Sequence, residues 1–581
     1  MSFQITKRFL VPSTKLKHYR TAQRRCLSVT CSRRNIRDNI LFSPIEVQIP
    51  NVSLAEYVFG KTAPFADYTA FECPLTRRKY TFSQVRKLSR NLSKVLRKKL
   101  GFNKGDVALI YLANCPEFPI AALGCLEAGV IVSTANSLYT SGEILRQLKD
   151  SSAKLVITSC DLYESTAKAV SQLPGKIPII CIKTKPDQLL PQGTIDFSEI
   201  INLTLDIPDL DPPNADDIAI LPYSSGTTGL PKGVELTHRN IVSNLCQIST
   251  AETDALELAH GDFQEISPGI LPMFHIYGFT ITTMNLMTKG AKVLPLPKFT
   301  PDSFIDVLQN YHCSIIFAAP PLVLFLTHYP DVKPEYLHHL RNVMSGAAPL
   351  GALDESKFLE KANRDVFISQ GYGLTETSPV VSTVLKSVRE KLGKASSGSV
   401  GHVLPNTEVK LVKLDDKTAT PLGLGEQGEV LVKGPQVMKG YHNNPEATKN
   451  ALHEGWFKTG DLAYYDVNGM LFITDRVKEL IKVRGYQVAP AELEELLRDH
   501  PGVEDAAVIG IPDAISGELP KAYVTRKNEV NAQEIYNFVA SKVAKYKRLE
   551  GGIEFIEEIP KNSAGKILRI KLKQKYLSEQ A

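Results

Sequence analysis

The densest group of residues that could do chemistry lies between Tyr223 and Gly233. The segment reads YSSGTTGLPKG and holds three glycines, four Ser or Thr hydroxyls and one lysine. Glycine lets backbone N–H groups approach phosphate oxygens, hydroxyls add donors, and lysine adds a positive charge. Because the apolar run from Ile218 to Leu221 precedes it, we predict a strand that leads into a triphosphate loop rather than an ordinary surface loop. The residues predicted to contact phosphate are Ser224, Ser225, Gly226, Thr227, Thr228 and Lys232.

Six further segments follow the phosphate loop along the chain. They read LPMFHIYG from position 271, SGAAPL from 345, QGYGLTET from 370, TGD from 459, DRVKELIK from 475 and PKNSAGK from 560. The loop is not a Walker A motif, because no Gly-Lys-Ser/Thr stands at the required spacing. Taken together, the seven segments resemble the motifs of the adenylate-forming superfamily of acyl-CoA synthetases, plant 4-coumarate:CoA ligases and luciferases. The resemblance spans about residues 50–575.

The resemblance implies a two-step reaction. A carboxylate is a poor electrophile, so ATP first converts it into an acyl-AMP mixed anhydride with release of pyrophosphate, and a thiol then displaces AMP. Two anions meet in the first step, and cations around the α-phosphate should therefore supply much of the catalysis. The implied cofactors are ATP, Mg²⁺ and coenzyme A, and the implied substrate is a small carboxylic acid.

The resemblance also implies roles for individual residues in the first step. Lys566 would bridge the substrate carboxylate and the α-phosphate. Glu376 would bind Mg²⁺, which prefers carboxylate oxygen, and Thr375 would contact the α-phosphate. Tyr372 would lie along the adenine, and Asp461 would accept hydrogen bonds from the ribose hydroxyls. Further nucleotide contacts implied by the motifs are Gln370, Gly371 and Arg476.

The second step is expected to use another face of a smaller C-terminal domain, which family members turn about a hinge. Lys478 matches the hinge position, and Lys482 is the catalytic residue implied for thioester formation. Arg484 supplies charge there, and Gly485 lets the pantetheine arm pass close to the backbone. Lys298 matches a position that contacts the CoA nucleotide.

The acyl pocket implied by the resemblance has small or apolar walls. No Lys or Arg stands out in it, which predicts a monocarboxylic acid with an apolar tail. A fatty and an aromatic acid both stay open, because the segment 344–350 is plant-like whereas 377–379 and 278–279 depart from the hydroxycinnamate pattern. His275 resembles an aromatic gate beside this pocket rather than an acid or base. The pocket residues are Tyr277, Gly278, Thr280, Ser345, Gly346, Ala347, Ala348, Pro379 and Val380.

Other functions share parts of this pattern. A luciferase-like monooxygenase uses the same adenylation step and is the main alternative. A domain that loads a carrier protein is less favoured, because only 15 residues follow Lys566. A non-catalytic binding module would be expected to lack Lys566 or Glu376, and both are present.

The elements that must position these residues alternate between strand and helix in the first half of the chain, which is typical of parallel sheets with crossover helices. Strands are predicted at 107–112, 155–158, 177–182, 218–221, 408–414, 428–433 and 503–511. Helices are predicted at 80–100, 121–129, 163–172, 491–498 and 532–543. We therefore expect an α/β protein with a large N-terminal domain, 38–475, that includes a distorted β-barrel subdomain, and a small α+β C-terminal domain, 476–581, which the resemblance implies is mobile.

The net charge of +6 hides an uneven distribution. Residues 1–37 hold ten Lys or Arg and no Asp or Glu, and the remainder carries 58 basic against 62 acidic residues. Nothing in that remainder favours a nucleic acid or an anionic membrane as partner. An Arg-rich, acid-free N terminus is typical of a mitochondrial transit peptide, and the chain does not end in the peroxisomal Ser-Lys-Leu. The expected location is the mitochondrial matrix, with the cytoplasm or the peroxisome as alternatives.

Two further features exclude classes of protein. The longest nearly apolar run, 313–326, is too short and too interrupted by proline to cross a bilayer, so no transmembrane helix is predicted. The 9 cysteines are scattered without a CxxC pair, which argues against a zinc site or a disulfide framework. The oligomeric state cannot be read from the sequence.

Overall fold

The computed structural model describes residues 35–580, apart from 225–230, 349, 365, 393–397, 415, 417, 484, 485, 514, 544, 563 and 564. The proposed transit peptide, 1–37, lies almost wholly outside the described residues, and the mitochondrial destination stays a prediction. Six predicted site residues also lie outside the described residues: Ser225, Gly226, Thr227 and Thr228 of the phosphate loop, and Arg484 and Gly485. Their predicted roles stay predictions.

The largest sheet has eight strands, and six consecutive strands in it run parallel to one another. Every residue of the two central strands at 107–111 and 155–159 is buried, as expected for a parallel sheet covered by helices on both faces. In spatial order the strands are Gly440–Tyr441, Lys232–Thr237, Ile218–Ser224, Ile131–Ala135, Val107–Tyr111, Leu155–Ser159, Ile179–Ile182 and Ile195–Asp196.

Two smaller sheets complete the α/β part of the fold. One has five strands, of which the first three are parallel: Ile315–Ala318, Asn342–Ser345, Phe367–Gly373, Val380–Thr383 and His402–Val403. The other has four strands: Ile266–Gly269, Lys292–Pro295, Thr69–Glu72 and Lys79–Thr81.

A seven-stranded antiparallel sheet forms the barrel-like part. Its apolar side chains build a separate core that includes Val409, Val430 and Ala463. The strands are Ile36–Arg37, Ile40–Phe42, Glu408–Val412, Gly428–Lys433, Trp456–Tyr465, Leu452–His453 and Leu471–Arg476.

The last hundred residues build a five-stranded sheet of their own. Two hydrophobic clusters made only of residues beyond 480 pack on its faces. The strands are Tyr486–Val488, Ile481–Val483, Gly517–Arg526, Val503–Asp513 and Ile553–Phe555.

Helices connect the strands, and many begin at a capping box. Thr81, for example, accepts a hydrogen bond from the Gln84 backbone, and the Gln84 side chain accepts one from the Thr81 backbone. None of the helices in the described part of the chain could span a bilayer. The α-helices are Leu54–Thr62, Phe82–Lys98, Glu117–Glu127, Ser141–Ser151, Tyr163–Val170, Phe197–Asn202, His238–Gln247, Leu286–Thr288, Pro301–Asn310, Pro320–His328, Ala352–Ala362, Lys386–Leu392, Pro445–Ala451, Pro490–Arg498, Ala532–Ala540 and Arg569–Gln580.

The predicted α/β fold is confirmed, with differences at element ends. The helix predicted at 80–100 begins at Phe82, because residues 79–81 pair with the 69–72 strand instead. The helix predicted at 121–129 begins earlier, at Glu117, and tolerates Pro119 in its first turn. The helix predicted at 532–543 ends at Ala540.

One helix, Tyr277–Asn285, is a π-helix. The hydroxyls of Thr282 and Thr283 both donate to the carbonyl of Gly278, at 2.9 Å. A β-carbon added to Gly278 would lie only 1.9 Å from the carbonyl oxygen of Pro272. Only glycine therefore allows the π-helix to pack against the segment that leads into it.

We expect Gly278→Ala to destabilise the protein by roughly 2–4 kcal/mol, because the clash is with backbone that cannot move aside. The thermal unfolding midpoint should fall by several degrees. Gly60→Ala is the matched control: Gly60 lies exposed in a helix with open space around its α-carbon, so the midpoint should stay or rise slightly. Equal midpoints for the two variants would contradict the close packing of Gly278.

Candidate active site

A cavity of about 1140 Å³ opens at the carboxyl ends of parallel strands from two sheets. The Ile218–Ser224 strand of the eight-stranded sheet ends on it, as do Asn342–Ser345 and Phe367–Gly373 of the five-stranded sheet. Lys566, from the loop before the last helix, also lines it. The carboxyl ends of such strands are where α/β proteins commonly bind ligands.

Glu376 lies where the two sheets meet. Its Oε1 atom accepts hydrogen bonds from Ser224 Oγ at 3.1 Å and from Tyr441 Oη at 2.9 Å. These contacts hold a buried carboxylate on the cavity wall, beside the strand that leads into the phosphate loop. No cluster of three or more metal-ligating side chains occurs among the described residues, and Mg²⁺, which keeps several waters, needs only one or two carboxylates. Glu376 therefore fits a Mg²⁺ role.

Positive charge faces the cavity near Glu376. Lys232 begins the strand after the phosphate loop, and its Nζ lies 5.1 Å from the centre of the Tyr441 ring. Lys478 also lines the cavity, and burial, followed by the charge of Lys232, lowers its pKa. Thr375 adds a hydroxyl to the same wall. This combination of cations and hydroxyls is suited to phosphate.

Asp461 joins the five-stranded sheet to the seven-stranded sheet. Tyr372 Oη donates to Asp461 Oδ2 at 2.8 Å, and Arg476 Nε lies 3.0 Å from Oδ1. Burial raises the pKa of Asp461, and the Arg476 charge opposes that shift. Burial and the Asp461 charge raise the pKa of Tyr372, which keeps its proton as a donor. Tyr372 and Arg476 line the cavity, whereas Asp461 is buried behind them.

Lys566 lies in a tight turn that faces the cavity. Its backbone N–H donates to Asn562 Oδ1 at 2.8 Å, and its carbonyl accepts from the Asn562 backbone at 2.8 Å. Gly565 has a φ of +79°, and a β-carbon there would approach Pro321 to 3.2 Å, so glycine lets the turn rest on the Pro320–His328 helix. Lys566 Nζ lies 3.6 Å from Glu479 Oε1. Burial, followed by a nearby guanidinium, lowers the pKa of Lys566.

Arg569 supports this turn, although no sequence motif singled it out. Its Nη1 lies 2.6 Å from Glu479 Oε2, its Nη2 lies 2.6 Å from Glu494 Oε1, and its Nε donates to the Val508 carbonyl at 3.2 Å. Arg569 stands in a lysine-rich stretch that is typical of exposed surface, yet its side chain is only 12% exposed. Glu479 thus connects the Lys566 turn to a buried ion-pair network.

The other end of the cavity is lined by the π-helix. Tyr277, Ile281 and Asn285 face it as one row, because residues four apart stay on one side of a helix with i→i+5 hydrogen bonds. The Tyr277 hydroxyl donates to the Met344 carbonyl at 3.1 Å. A β-carbon on Gly346 would lie 3.1 Å from the Tyr277 ring, so glycine leaves the cavity open at this point.

His275 lies two residues before Tyr277, just outside the π-helix, and lines the cavity. Burial lowers its pKa to about 4, so the ring is uncharged at neutral pH. An uncharged, partly buried ring agrees with the predicted aromatic gate and not with a charged imidazolium acid. The gating movement itself stays a prediction.

Comparison with known proteins agrees with the geometry of the cavity. Residues 60–442 match the family model described as AMP-binding enzyme, and residues 492–566 match that of the AMP-binding enzyme C-terminal domain. The chain belongs to the AMP-binding enzymes. The 4-coumarate–CoA ligase 3 of Oryza sativa subsp. japonica is 38% identical over 528 residues, which cover 90% of this chain and 92% of the relative. The 4-coumarate–CoA ligase 1 of Solanum tuberosum is 39% identical over 533 residues, 90% of this chain and 94% of the relative.

Solved structures show the same architecture. An anthranilate CoA ligase in complex with anthranoyl-AMP superposes with a TM-score of 0.81 at 25% identity and covers 92% of this chain and 99% of its own. ATP-bound MatB from Rhodopseudomonas palustris superposes with a TM-score of 0.78 at 25% identity, over 91% and 99%. This AMP-binding enzyme is an AMP-forming CoA ligase, with ATP, Mg²⁺ and CoA as cofactors. Nothing in the comparisons favours a luciferase-like monooxygenase.

The structure of this AMP-binding enzyme brings most of the predicted site residues to one cavity. Those that line it are Ser224, Lys232, His275, Tyr277, Ser345, Gly346, Ala347, Gly371, Tyr372, Thr375, Glu376, Pro379, Val380, Arg476, Lys478 and Lys566.

Several predicted residues do not line the cavity. The Gln370 side chain instead bonds both backbone groups of Leu350, at 2.8 and 2.9 Å, and so supports the 345–350 segment. In place of the predicted Gly278 and Thr280, the π-helix presents Ile281 and Asn285. Asp461, predicted to accept from the ribose hydroxyls, is also off the wall, because its carboxylate is buried against Tyr372 and Arg476. The remaining described residues off the wall are Ala348, and Lys298 and Lys482, both exposed.

Asp475 lies buried next to Arg476, at the start of the predicted junction between the domains. Its Oδ1 atom accepts from the Arg476 backbone at 2.6 Å, and its Oδ2 atom accepts from the Ala491 backbone at 3.3 Å. Burial raises the pKa of Asp475 to about 7. The carboxyl group thereby links the last barrel strand to the first C-terminal helix.

This raised pKa predicts a pH-dependent stability. The folded state holds the Asp475 proton up to about pH 7, whereas an unfolded Asp loses it near pH 4, so the stability from this group is complete below pH 4 and is lost as the pH rises through 7. We expect the melting temperature of Asp475→Asn, relative to wild type, to be higher at pH 8 than at pH 5. Asp262→Asn, at an exposed carboxylate, should give a constant difference. A constant difference for Asp475→Asn as well would contradict the effect of burial.

Proposed function

We propose that this AMP-binding enzyme activates an elongated, hydrophobic monocarboxylic acid and transfers it to CoA through an acyl-AMP intermediate. The depth and the lining of the cavity beyond Tyr277 support this choice of acid.

The inner part of the cavity follows a whole strand. Ile315 and Phe317, the first and third residues of the Ile315–Ala318 strand, both line it and face the same side of the sheet. Ser345 and Gly346 line it at the carboxyl end of the neighbouring strand. Such a four-residue strand is roughly 10 Å long. An acid held by its carboxylate near Lys566 can therefore extend far beyond a two-carbon chain.

The inner wall suits an uncharged tail. Ile248, Leu256 and Ile281 contribute aliphatic surface, and each methylene that the tail buries there gains roughly 0.8 kcal/mol. No Lys or Arg occurs among the described residues of this inner wall. Asp254, which lines it, pairs with Lys289. A second carboxylate on the substrate would therefore meet no unpaired cation there.

In the proposed first step, ATP supplies the AMP group that activates the acid and pyrophosphate as the leaving group. Lys566 bridges the acid carboxylate and the α-phosphate, and its turn and the Glu479 contact fix the ammonium group before the substrates arrive. Glu376 would hold Mg²⁺ beside the phosphates, and Arg476 and Lys232 add positive charge. The preorganised cations offset the repulsion between the two anions.

In the proposed second step, the CoA thiol attacks the acyl carbonyl and AMP leaves. Lys482 lies on the exposed surface of the C-terminal sheet while Lys566 lines the cavity, so this arrangement suits the first step. We infer that the C-terminal part turns near Lys478 before the second step, so that Lys482 replaces Lys566 at the cavity.

The choice of acid is tested by pyrophosphate release from the full chain with Mg-ATP, CoA and straight-chain acids from acetate to stearate, together with cinnamates. We expect acids longer than butyrate to react at least tenfold faster, in kcat/KM, than acetate, because their tails bury more apolar wall. Turnover of acetate alone would contradict an elongated substrate.

Leu256→Trp sharpens the test, because the added bulk fills the inner end of the cavity. The longest acids accepted by the wild type should lose most of their kcat/KM, while shorter acids keep theirs. Leu258→Trp is the matched control, since Leu258 is exposed and does not line the cavity. Equal losses for short and long acids in Leu256→Trp would argue against this position of the tail.

The division of roles between the two lysines is tested by separate half-reactions. Lys566→Ala should slow acyl-AMP formation by at least 100-fold and leave CoA transfer from supplied acyl-AMP within about threefold of wild type, because only the first step needs its charge at the α-phosphate. Lys482→Ala should show the reverse pattern. Lys573→Ala, at an exposed lysine of the last helix, should change neither rate. Equal losses in both half-reactions would refute the division.

A further inference from the structure

Two cysteines at neighbouring strands of the eight-stranded sheet lie in direct contact. Their sulfur atoms, Cys160 Sγ and Cys181 Sγ, are 3.3 Å apart, although 21 positions separate the residues in the sequence. Cys181 lies in the Ile179–Ile182 strand and pairs in parallel register with Thr158 of the adjacent strand, and Cys160 begins the short turn that follows that adjacent strand. The fold therefore brings together two thiols whose spacing matches no CxxC motif.

The segments that flank the two cysteines are fastened to each other. Ser159 and Ile182 pair as strand neighbours. The Asp161 carboxylate accepts hydrogen bonds from Thr184 Oγ1 at 2.6 Å and from Gln188 Nε2 at 2.9 Å. The folded chain thus already holds the two thiols close, and groups held close react far more readily than free ones. A disulfide needs about 2 Å between its sulfur atoms, so small rotations of the two side chains are enough to form the bond.

The two thiols differ in their access to solvent. Cys181 is 0% exposed, and burial raises its pKa, so it stays protonated. Cys160 is only half-buried and can meet a small solute. No group of three or more metal-ligating side chains occurs in the part of the chain that the structure describes, so two thiols in contact suit a disulfide better than a metal ion.

We propose that Cys160 and Cys181 form a reversible disulfide when the enzyme meets hydrogen peroxide, and that this bond protects Cys160 from irreversible oxidation. The inference goes beyond the proposed ligase function and does not rest on it. It assigns a modification site near the outer edge of the eight-stranded sheet. Neither cysteine lines the active-site cavity.

The reaction has two steps. In the first, the Cys160 thiolate bonds to one oxygen of the peroxide, the O–O bond breaks, and the leaving hydroxide takes up the thiol proton and departs as water. In the second, the Cys181 sulfur bonds to the Cys160 sulfur of this sulfenic acid, the S–O bond breaks, and the hydroxyl group leaves with the Cys181 proton as a second water. The two thiols together lose two electrons, and one peroxide gains them.

The disulfide has two consequences for the protein. A sulfenic acid that meets no second thiol is oxidised further to sulfinic acid, which ordinary thiols do not reduce. Cys181 captures the sulfenic acid of Cys160 before this happens. The bond also closes the loop between the two cysteines in the unfolded chain, which stabilises the folded protein relative to the unfolded one.

The test treats the purified full chain with hydrogen peroxide and analyses its peptides by mass spectrometry. The wild type should yield a peptide pair joined through Cys160 and Cys181, lighter by two hydrogen atoms than the separate thiol peptides, and dithiothreitol should separate the pair. The midpoint of thermal unfolding should rise by several degrees on oxidation and return on reduction.

Cys181→Ser removes the second thiol. Its Cys160 should instead gain two oxygen atoms as a sulfinic acid that dithiothreitol does not remove, and the unfolding midpoint should not rise. Cys160→Ser should show neither change, because the remaining thiol is buried. Cys246→Ser is the matched control, since Cys246 is also half-buried but its sulfur contacts the Tyr57 hydroxyl, at 3.5 Å. This control should form the disulfide as the wild type does.

Three results would overturn the proposal. The first is wild-type protein that keeps both thiols while glutathione in the same solution is oxidised. The second is a bond from Cys160 to a cysteine other than Cys181. The third is a yield of sulfinic acid at Cys160 that is equal in the wild type and in Cys181→Ser, which would exclude the protective role. The wild-type measurement needs no substitution, so a variant that fails to fold leaves the first two outcomes decisive.

Discussion

A buried carboxylate that bridges two sheets controls the geometry of the whole cavity. The Asp461 side chain is buried away from water, and burying an ionised carboxylate costs several kcal/mol unless nearby charge and hydrogen bonds compensate it. Tyr372 from one sheet and Arg476 from the adjacent strand provide that compensation at 2.8 and 3.0 Å. The two side chains are thereby fixed on the wall that faces the ligands. If Tyr372 and Arg476 moved apart, the Asp461 carboxylate would stay buried with an uncompensated charge. The two sheets therefore keep one relative position.

The same principle recurs around the rest of the site. Glu376 draws hydrogen bonds from Ser224 and Tyr441, which belong to different parts of the chain. Glu479 contacts both Lys566 and Arg569. Each carboxylate thus orients groups that come from distant positions in the sequence. Catalysis by electrostatic preorganisation requires this kind of rigidity, because charges that had to reorganise during the reaction would stabilise the transition state less.

Much of this protein could be predicted from the sequence, and the exceptions have physical causes. Motifs around Glu376 and Lys566 are local in sequence and point to residues that the fold brings to one cavity. Arg569 was missed because its two carboxylate partners, Glu479 and Glu494, are 90 and 75 residues away, so nothing beside it distinguishes it from surface lysines. The Gly517–Arg526 strand was not predicted, because Pro520 argues against a strand interior. Asn285 was missed because its position depends on a π-helix, which sequence periodicity does not reveal.

That π-helix makes the shape of the acyl pocket depend on chain length as well as on side-chain identity. A π-helical segment contains one residue more than an α-helix needs for the same turn. Loss of a single residue from Tyr277–Asn285 would let the segment relax into an α-helix and rotate every following side chain about the axis. Ile281 and Asn285 would then leave the wall together, and other residues would take their place. Related enzymes could therefore exchange one substrate for another through a one-residue insertion or deletion here, with the nucleotide site unchanged.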